Sequence, residues 1–451
     1  MYIPEQKPLF RKPRHQSNPY RVAIMVGIAL VMLMVLRNLS LGTITPMFMA
    51  TATPTRTLAS FAEEGETYFV AGDLEKAIEA YKQAVALDPL NADLQAELVR
   101  IMVYSSTLIT VDEQRLARLN DAMATINAAI EAVPDNSMVH AVKAFVLDWL
   151  SDPNLGMEDR QGLLTEAEQQ VISALQLDNQ NDLALAFYAE ILVDQQKWIQ
   201  AEQNISQALE RAPELMDVHR INGYVQESLG NYTQAITEYQ EAIRINPNLT
   251  FIYLRIGANY RRLAAKGVAS ENNPLFIEAL DYFDKAARIN EQLGVKDPIP
   301  FFSIATTYTQ MGQFFQAGLN ARKGLNFDPS NADAYGRLGI VYHRARNYEG
   351  AIPAFECAIR GCAAEQSCEV RQCTPEVDPL VAVQGLPLSA GTVDYYLTYG
   401  AVLAGMHRPV NGYCEEAMQI MKMVKQDYSS DPIIMQNITE SEAICRDYGY
   451  S

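Results

Sequence analysis

At 451 residues, 49% of them apolar, the chain is long enough to bury a sizeable core and would ordinarily divide into two or three domains. A formal charge of -18, with no basic face in any domain, excludes the nucleic-acid binders, which need clustered lysine and arginine. Residues 1–21 set Lys7, Arg11, Lys12, Arg14 and Arg21 against Glu5 and are broken by Pro4, Pro8, Pro13 and Pro19, the composition of a short disordered basic tail. Val22 to Leu36 is wholly apolar. As helix it spans about 22 Å, short of a bilayer core of about 30 Å. Continuing through Leu39, Leu41 and Ile44, with Arg37 snorkelling, completes a transmembrane helix or signal anchor over 22–44. A cleavable signal peptide is the rival reading, and the long basic tail without a close small-x-small site favours the anchor. The lipid bilayer is then a partner through 22–44, with the N-terminus cytoplasmic and the rest outside the cell membrane. Residues 45–57, rich in Thr, Pro and Ala, read as an extended stalk.

From Leu58 the chain repeats. Phe61, Gly65 and Tyr68 fall three or four apart on one helix face, Ala77, Tyr81 and Ala84 on a second, with Gly72 at the turn and Pro89 stopping the second helix. Small Gly65 and Ala77 let the helices approach, and one such pair cannot bury its own apolar face without neighbours. The second unit has helix A near Ala92 to Tyr104, then Ala122, Ile126 and Ala129 before Pro134, with a capping box at Thr110-Val111-Asp112-Glu113. The third has His140, Ala144 and Leu147, then Ala167, Val171 and Ala174; the fourth runs from Asp182 with Leu185, Ala189, Ala201, Ile205 and Pro213. The fifth has His219, Gly223, Gly230, Ala235, Tyr239 and Pro247, and the sixth Tyr253, Gly257 and Tyr260, an insertion, then Ala279 and Phe283. The seventh has Phe301, Ala305, Tyr308, Gly312, Ala317 and Pro329, and the eighth Tyr335, Gly339, Tyr342, Ala351 and Phe355. A degenerate ninth carries Tyr395, Tyr399, Ala417 and Met421, with Asp431 to Tyr448 as the cap.

In these residues the chain resembles the tetratricopeptide-repeat family over nearly all of 58–448. The resemblance implies an all-α fold, a right-handed superhelical solenoid of helix-turn-helix repeats: an array over 58–360, a cysteine-bearing insertion loop over 361–391, and a last repeat with its capping helix over 392–451. It also implies that helix A of each unit lines a concave groove holding a peptide or a partner's surface. The groove positions select Arg220, Tyr224, Arg261, Arg262, Phe302, His343 and Arg344, a basic and aromatic patch suited to an acidic or carboxylate-bearing segment. Tyr224 stands where the family's carboxylate-clamp subset has asparagine, a departure from free C-terminus recognition.

No phosphate loop, dinucleotide fingerprint, nucleophile elbow or zinc-helix motif occurs, so neither an enzyme nor a cofactor or metal is expected. His140 and His219 read as core packing, and the acidic residues as solvated outer faces. Asn204, Asn231, Asn248 and Asn437 each open an N-x-Ser/Thr triplet. All six cysteines follow residue 356. Three disulfides are expected among Cys357, Cys362, Cys368, Cys373, Cys414 and Cys445, with free thiols or a metal as alternatives. Antiparallel helices turning at Ser429 and Ser430 bring Cys414 level with Cys445, while one continuous helix places Cys357 and Cys362 on divergent faces. The sequence thus reads as a membrane-anchored scaffold for protein partners in an envelope or cell-surface complex. A glycan-binding module or enzyme accessory using the groove or the 361–391 loop is the competing class, and the same fold held in the cytoplasm is a third reading.

Overall fold

The computed structural model describes residues 18–41, 56–109, 112–266 and 273–450, in two units divided after Arg56. In the first unit, α1 (Pro19–Ser40) is a 22-residue helix capped by Asn18, whose side chain accepts from the Tyr20 amide at 3.1 Å. At the usual rise it is about 33 Å long. By length and composition it suffices to cross a membrane. The helix starts before Val22, at Pro19, which suits a first helical turn, while residues 42–44 of the expected span lie outside the described residues. The basic tail up to residue 17 and residues 42–55 lie outside the described residues.

The second unit is built from paired helices. In order they are α2 (Leu58–Ala71) with α3 (Leu74–Leu87), α4 (Ala92–Ser105) with α5 (Asp112–Ala132), α6 (Ser137–Leu150) with α7 (Arg160–Leu177), and α8 (Asp182–Asp194) with α9 (Trp198–Arg211). There follow α10 (Met216–Ser228) with α11 (Tyr232–Ile245), α12 (Thr250–Ala265) with α13 (Pro274–Leu293), α14 (Ile299–Gln310) with α15 (Phe314–Phe327), and α16 (Ala332–Arg344) with α17 (Tyr348–Ile359). After α18 (Ala364–Arg371) the last pair, α19 (Val393–Met406) with α20 (Tyr413–Tyr428), is closed by α21 (Pro432–Asp447). Thr110 and Val111 of the expected capping box, and most of the sixth unit's insertion, lie outside the described residues.

Four of the pairs are keyed by a glycine under a ring. A Cβ added at Gly65, Gly223, Gly257 or Gly339 would lie within 2.4 to 2.7 Å of Tyr81, Tyr239, Phe283 or Phe355 respectively, so the close approach requires glycine. The turn between paired helices is left-handed at Gly72, Gly230 and Gly312, with Gln196 and Arg346 taking the same conformation elsewhere. Between units, Asn91, Asn136, Asn181 and Asn331 cap the next helix through their side chains. The fourth residue of helix A then reaches back to the preceding proline's carbonyl: His140 to Pro134 and His219 to Pro213 at 2.8 Å, Tyr253 to Pro247 at 2.7 Å, Tyr335 to Pro329 at 3.0 Å. These histidines therefore tether successive units as well as pack.

The 361–391 segment is more ordered than a loop. Strand β1 (Gly361–Cys362) pairs antiparallel with β2 (Val383–Gln384), and α18 lies between them in sequence. Arg371, buried, donates to the Pro379 carbonyl at 2.8 Å, and Ser367 donates to that of Val381. Cys357 bonds Cys362 and Cys368 bonds Cys373. The first pairing corrects the helical argument against it. α17 ends at Ile359, Gly361 turns the chain with φ +80°, and Cys362 returns on β1 with a Cα separation of 4.7 Å. Cys414 of α20 bonds Cys445 of α21 across the turn at Ser429 and Ser430.

Candidate functional site

The inner helices of the array meet across the turn of the solenoid, within the first six units. Arg100 on α4 donates to Asp217 on α10 at 2.6 Å, and the Tyr104 hydroxyl bonds the same carboxylate. Arg220 on α10 forks onto Glu190 of α8 at 2.7 and 2.6 Å, gives its Nε to the Tyr104 oxygen at 3.0 Å, and lies 5.4 to 5.9 Å from the rings of Tyr104, Phe145 and Trp149. Tyr104 also stacks on Phe251 of α12 at 5.7 Å. At the rim, Asn248 donates to the Val70 carbonyl at 3.0 Å.

Next to this, Glu227 accepts from Tyr239 at 3.0 Å, Asn259 at 2.9 Å, Arg255 at 3.1 Å and Arg262. Burial pushes its carboxyl up, but Arg255, Asn259 and Arg262 together hold it below the usual carboxylate range. Such fully bonded buried pairs fix geometry more surely than they add stability, since desolvation offsets much of the attraction.

The seven groove residues consequently separate. Arg220, 4% exposed, is consumed by Glu190, and the Tyr224 hydroxyl by Asp194 at 2.6 Å. Arg262 pairs with Glu227 while its side chain stays 48% exposed. Phe302 is buried over Gly324, whose hypothetical Cβ would touch its ring at 3.0 Å. Arg261 donates to the Ser303 carbonyl at 3.3 Å and lies 5.6 Å from the Phe283 ring. On α16 the His343 ring is 5.9 Å from Tyr348, and burial and Arg344 hold its pKa down. Arg344 and Arg346 are exposed and make no ion pair among the described residues. The sequence reading also missed the buried carboxylates Asp148, Glu190, Asp217 and Glu227, which point inward although acidic residues were assigned to outer faces. Their signal was present: each lies on a helix A, whose two flanking apolar stripes leave an inner face.

His219 packs between its own pair and the preceding unit. Its Nε2 faces the Pro213 carbonyl and its Nδ1 the Glu238 carboxylate at 2.7 Å, two acceptors that call for an imidazolium; the Glu238 hydrogen bond raises its pKa.

Residues 65–98 and 223–263 match the family described as TPR repeat, and residues 315–365 that described as tetratricopeptide repeat. These segments are tetratricopeptide repeats. The chain is 21% identical over 310 residues to tetratricopeptide repeat protein 21B of Homo sapiens, covering 65% of this chain and 21% of that protein, so it spans about a fifth of that relative's length. Among solved structures it is similar to the human IFIT1 dimer with PPP-AAAA, with a TM-score of 0.55 at 13% identity over 88% of this chain and 92% of that one. The human IFIT1 dimer with m7Gppp-AAAA gives 0.54 at 13% identity over 88% and 91%. These likenesses concern the helical repeat solenoid.

Proposed function

We propose that the chain is a non-catalytic scaffold, anchored in the cell membrane by α1 with its repeats outside, that holds acidic protein segments on the later units. The observation that carries the partner class is the free basic surface of α16 and its turn, Arg344 and Arg346 beside His343 and Tyr348, on a protein of net charge -18. Arg261 of α12 is the second contact: it donates to a backbone carbonyl and lies over the Phe283 ring, and no ion pair to a carboxylate is found for it among the described residues. Deeper in the first six units Arg100, Arg220 and Arg262 already hold carboxylates. That same interior, lined by Asp148, Glu190, Asp194, Asp217 and Glu227, disfavours a polyanion, so the nucleotide ligands of the IFIT1 structures do not transfer. Three disulfides suit an oxidising exterior.

Binding of a fluorescent acidic peptide and its charge-neutral counterpart to the full chain tests the site. Arg344→Glu with Arg346→Glu should lower affinity for the acidic peptide at least tenfold, and Arg100→Gln should leave it unchanged. Equal binding by the double variant refutes the site. Protease accessibility of the array in intact cells tests the topology separately, with protection from outside as the contrary result.

A further inference from the structure

Asp148 faces inward from α6, 3% exposed, and its Oδ1 is buried without a hydrogen-bond partner. The groups that act on it are Glu190 and Asp194 from α8, Arg220 from α10 and Arg160 from α7; Tyr224 of α10 and Arg255 of α12 act on Asp194. Neither neighbouring arginine is available to it. Arg220 is forked onto Glu190 and bonded to Tyr104. Arg160 gives its Nε to the Ser151 carbonyl at 2.8 Å and its Nη2 to the backbone oxygen of Asp194 at 3.5 Å. Asp194 is occupied by the Tyr224 hydroxyl. An ionised Asp148 would therefore be a buried carboxylate with no cation of its own, beside buried Glu190 and half-buried Asp194. Burial first, then Asp194 and Glu190, push its carboxyl well above the ordinary aspartate range.

We propose that Asp148 carries a proton while the first turn of the solenoid is closed, and that release of this proton to bulk water loosens the closure. The route starts with an electrostatic link from Asp148 and continues through direct contacts. Charged Asp148 repels Glu190 and competes with it for Arg220; Arg220 holds Tyr104, and Tyr104 with Arg100 holds Asp217 across the turn. The sign follows from linkage. A carboxyl raised by folding is protonated more in the closed state, so closure is most stable at acid pH and weakens as pH rises from the ordinary aspartate value through the folded one.

Full-length protein in nanodiscs is followed by hydrogen exchange of the amides of 66–72 and 250–256, from about pH 5 to about pH 8, each rate divided by its intrinsic value. Wild type should gain roughly tenfold in corrected exchange over this range, and Asp148→Asn, which keeps a neutral side chain of the same shape, should stay at the acid-pH level. An Asp148→Asn protein that follows wild type at every pH overturns the proposal. Where that variant does not fold, Asp194→Asn serves: removing one of the crowding carboxylates should move the wild-type midpoint to lower pH, and an unmoved midpoint overturns the proposal equally.

Discussion

Asn248, in the link before the sixth unit, donates its side-chain amide to the carbonyl of Val70 at the end of the first unit's helix A, at 3.0 Å across 178 residues. The turn glycine beside Val70 is part of the same contact: a Cβ at Gly72 would lie 2.6 Å from the Asn248 Cβ and 2.7 Å from its backbone oxygen. Local turn chemistry and long-range closure thus meet at one position.

Gly72 and Gly230 hold the same turn conformation, at φ 80° and 79°, but a Cβ at Gly230 meets nothing within 4 Å. Gly230→Ala should therefore cost only the left-handed penalty of about 1–2 kcal/mol. Gly72→Ala should cost that and also push Asn248 away, so its urea midpoint should fall further. Equal losses would mean that the contact with Asn248 adds nothing.

Asp297 sits before α14, 2% exposed, accepting from the Ile299 amide at 2.9 Å and from Asn290 at 3.1 Å. Burial raises its carboxyl from 3.8 to about 6 in spite of both bonds. Being raised by folding, it favours the folded state below about pH 4, and that advantage is lost as pH climbs to about 6. Above that, about two pKa units correspond to roughly 3 kcal/mol. Asp297→Asn should raise the melting temperature at pH 8 and leave it nearly unchanged at pH 4; the reverse pattern in a pH series of thermal melts would contradict this.

The period of the array was legible because it rests on local sterics. Gly65 under Tyr81 and the left-handed turn at Gly72 are set by sterics within one unit, and the structure uses them as the pattern requires. Cys414 and Cys445 were legible for the same reason, as two helices and one turn fix their level. Cys357 with Cys362 was not, because a strand pair formed with residues 383–384 ends the helix that the spacing argument assumed. Groove assignment failed at Arg220 because repeat position says which way a side chain points and nothing about what comes round to meet it. Glu190 lies 30 residues away and Tyr104 116 away, and only the superhelical turn brings them together.

The Cys414–Cys445 bond closes a loop between α20 and α21 and holds the terminal cap on the array. Replacing both with alanine should lower unfolding stability by about 2–4 kcal/mol. The loss should concentrate in the last unit, read as faster amide exchange in α19 to α21 with α2 to α12 unchanged. Uniform acceleration along the array would show that the cap is coupled to the whole solenoid.

Closure of the first turn is the claim on which the inner-face contacts and the proton device both depend. It is measured most directly as the distance between spin labels placed at Thr67 on α2 and Arg244 on α11, exposed positions that leave the inward contacts intact; the six native cysteines are all bonded and take no label. The closed turn predicts one narrow distance distribution at pH 5. A broad or bimodal distribution there would show that the first and fifth units move independently and that the inner face is an open groove.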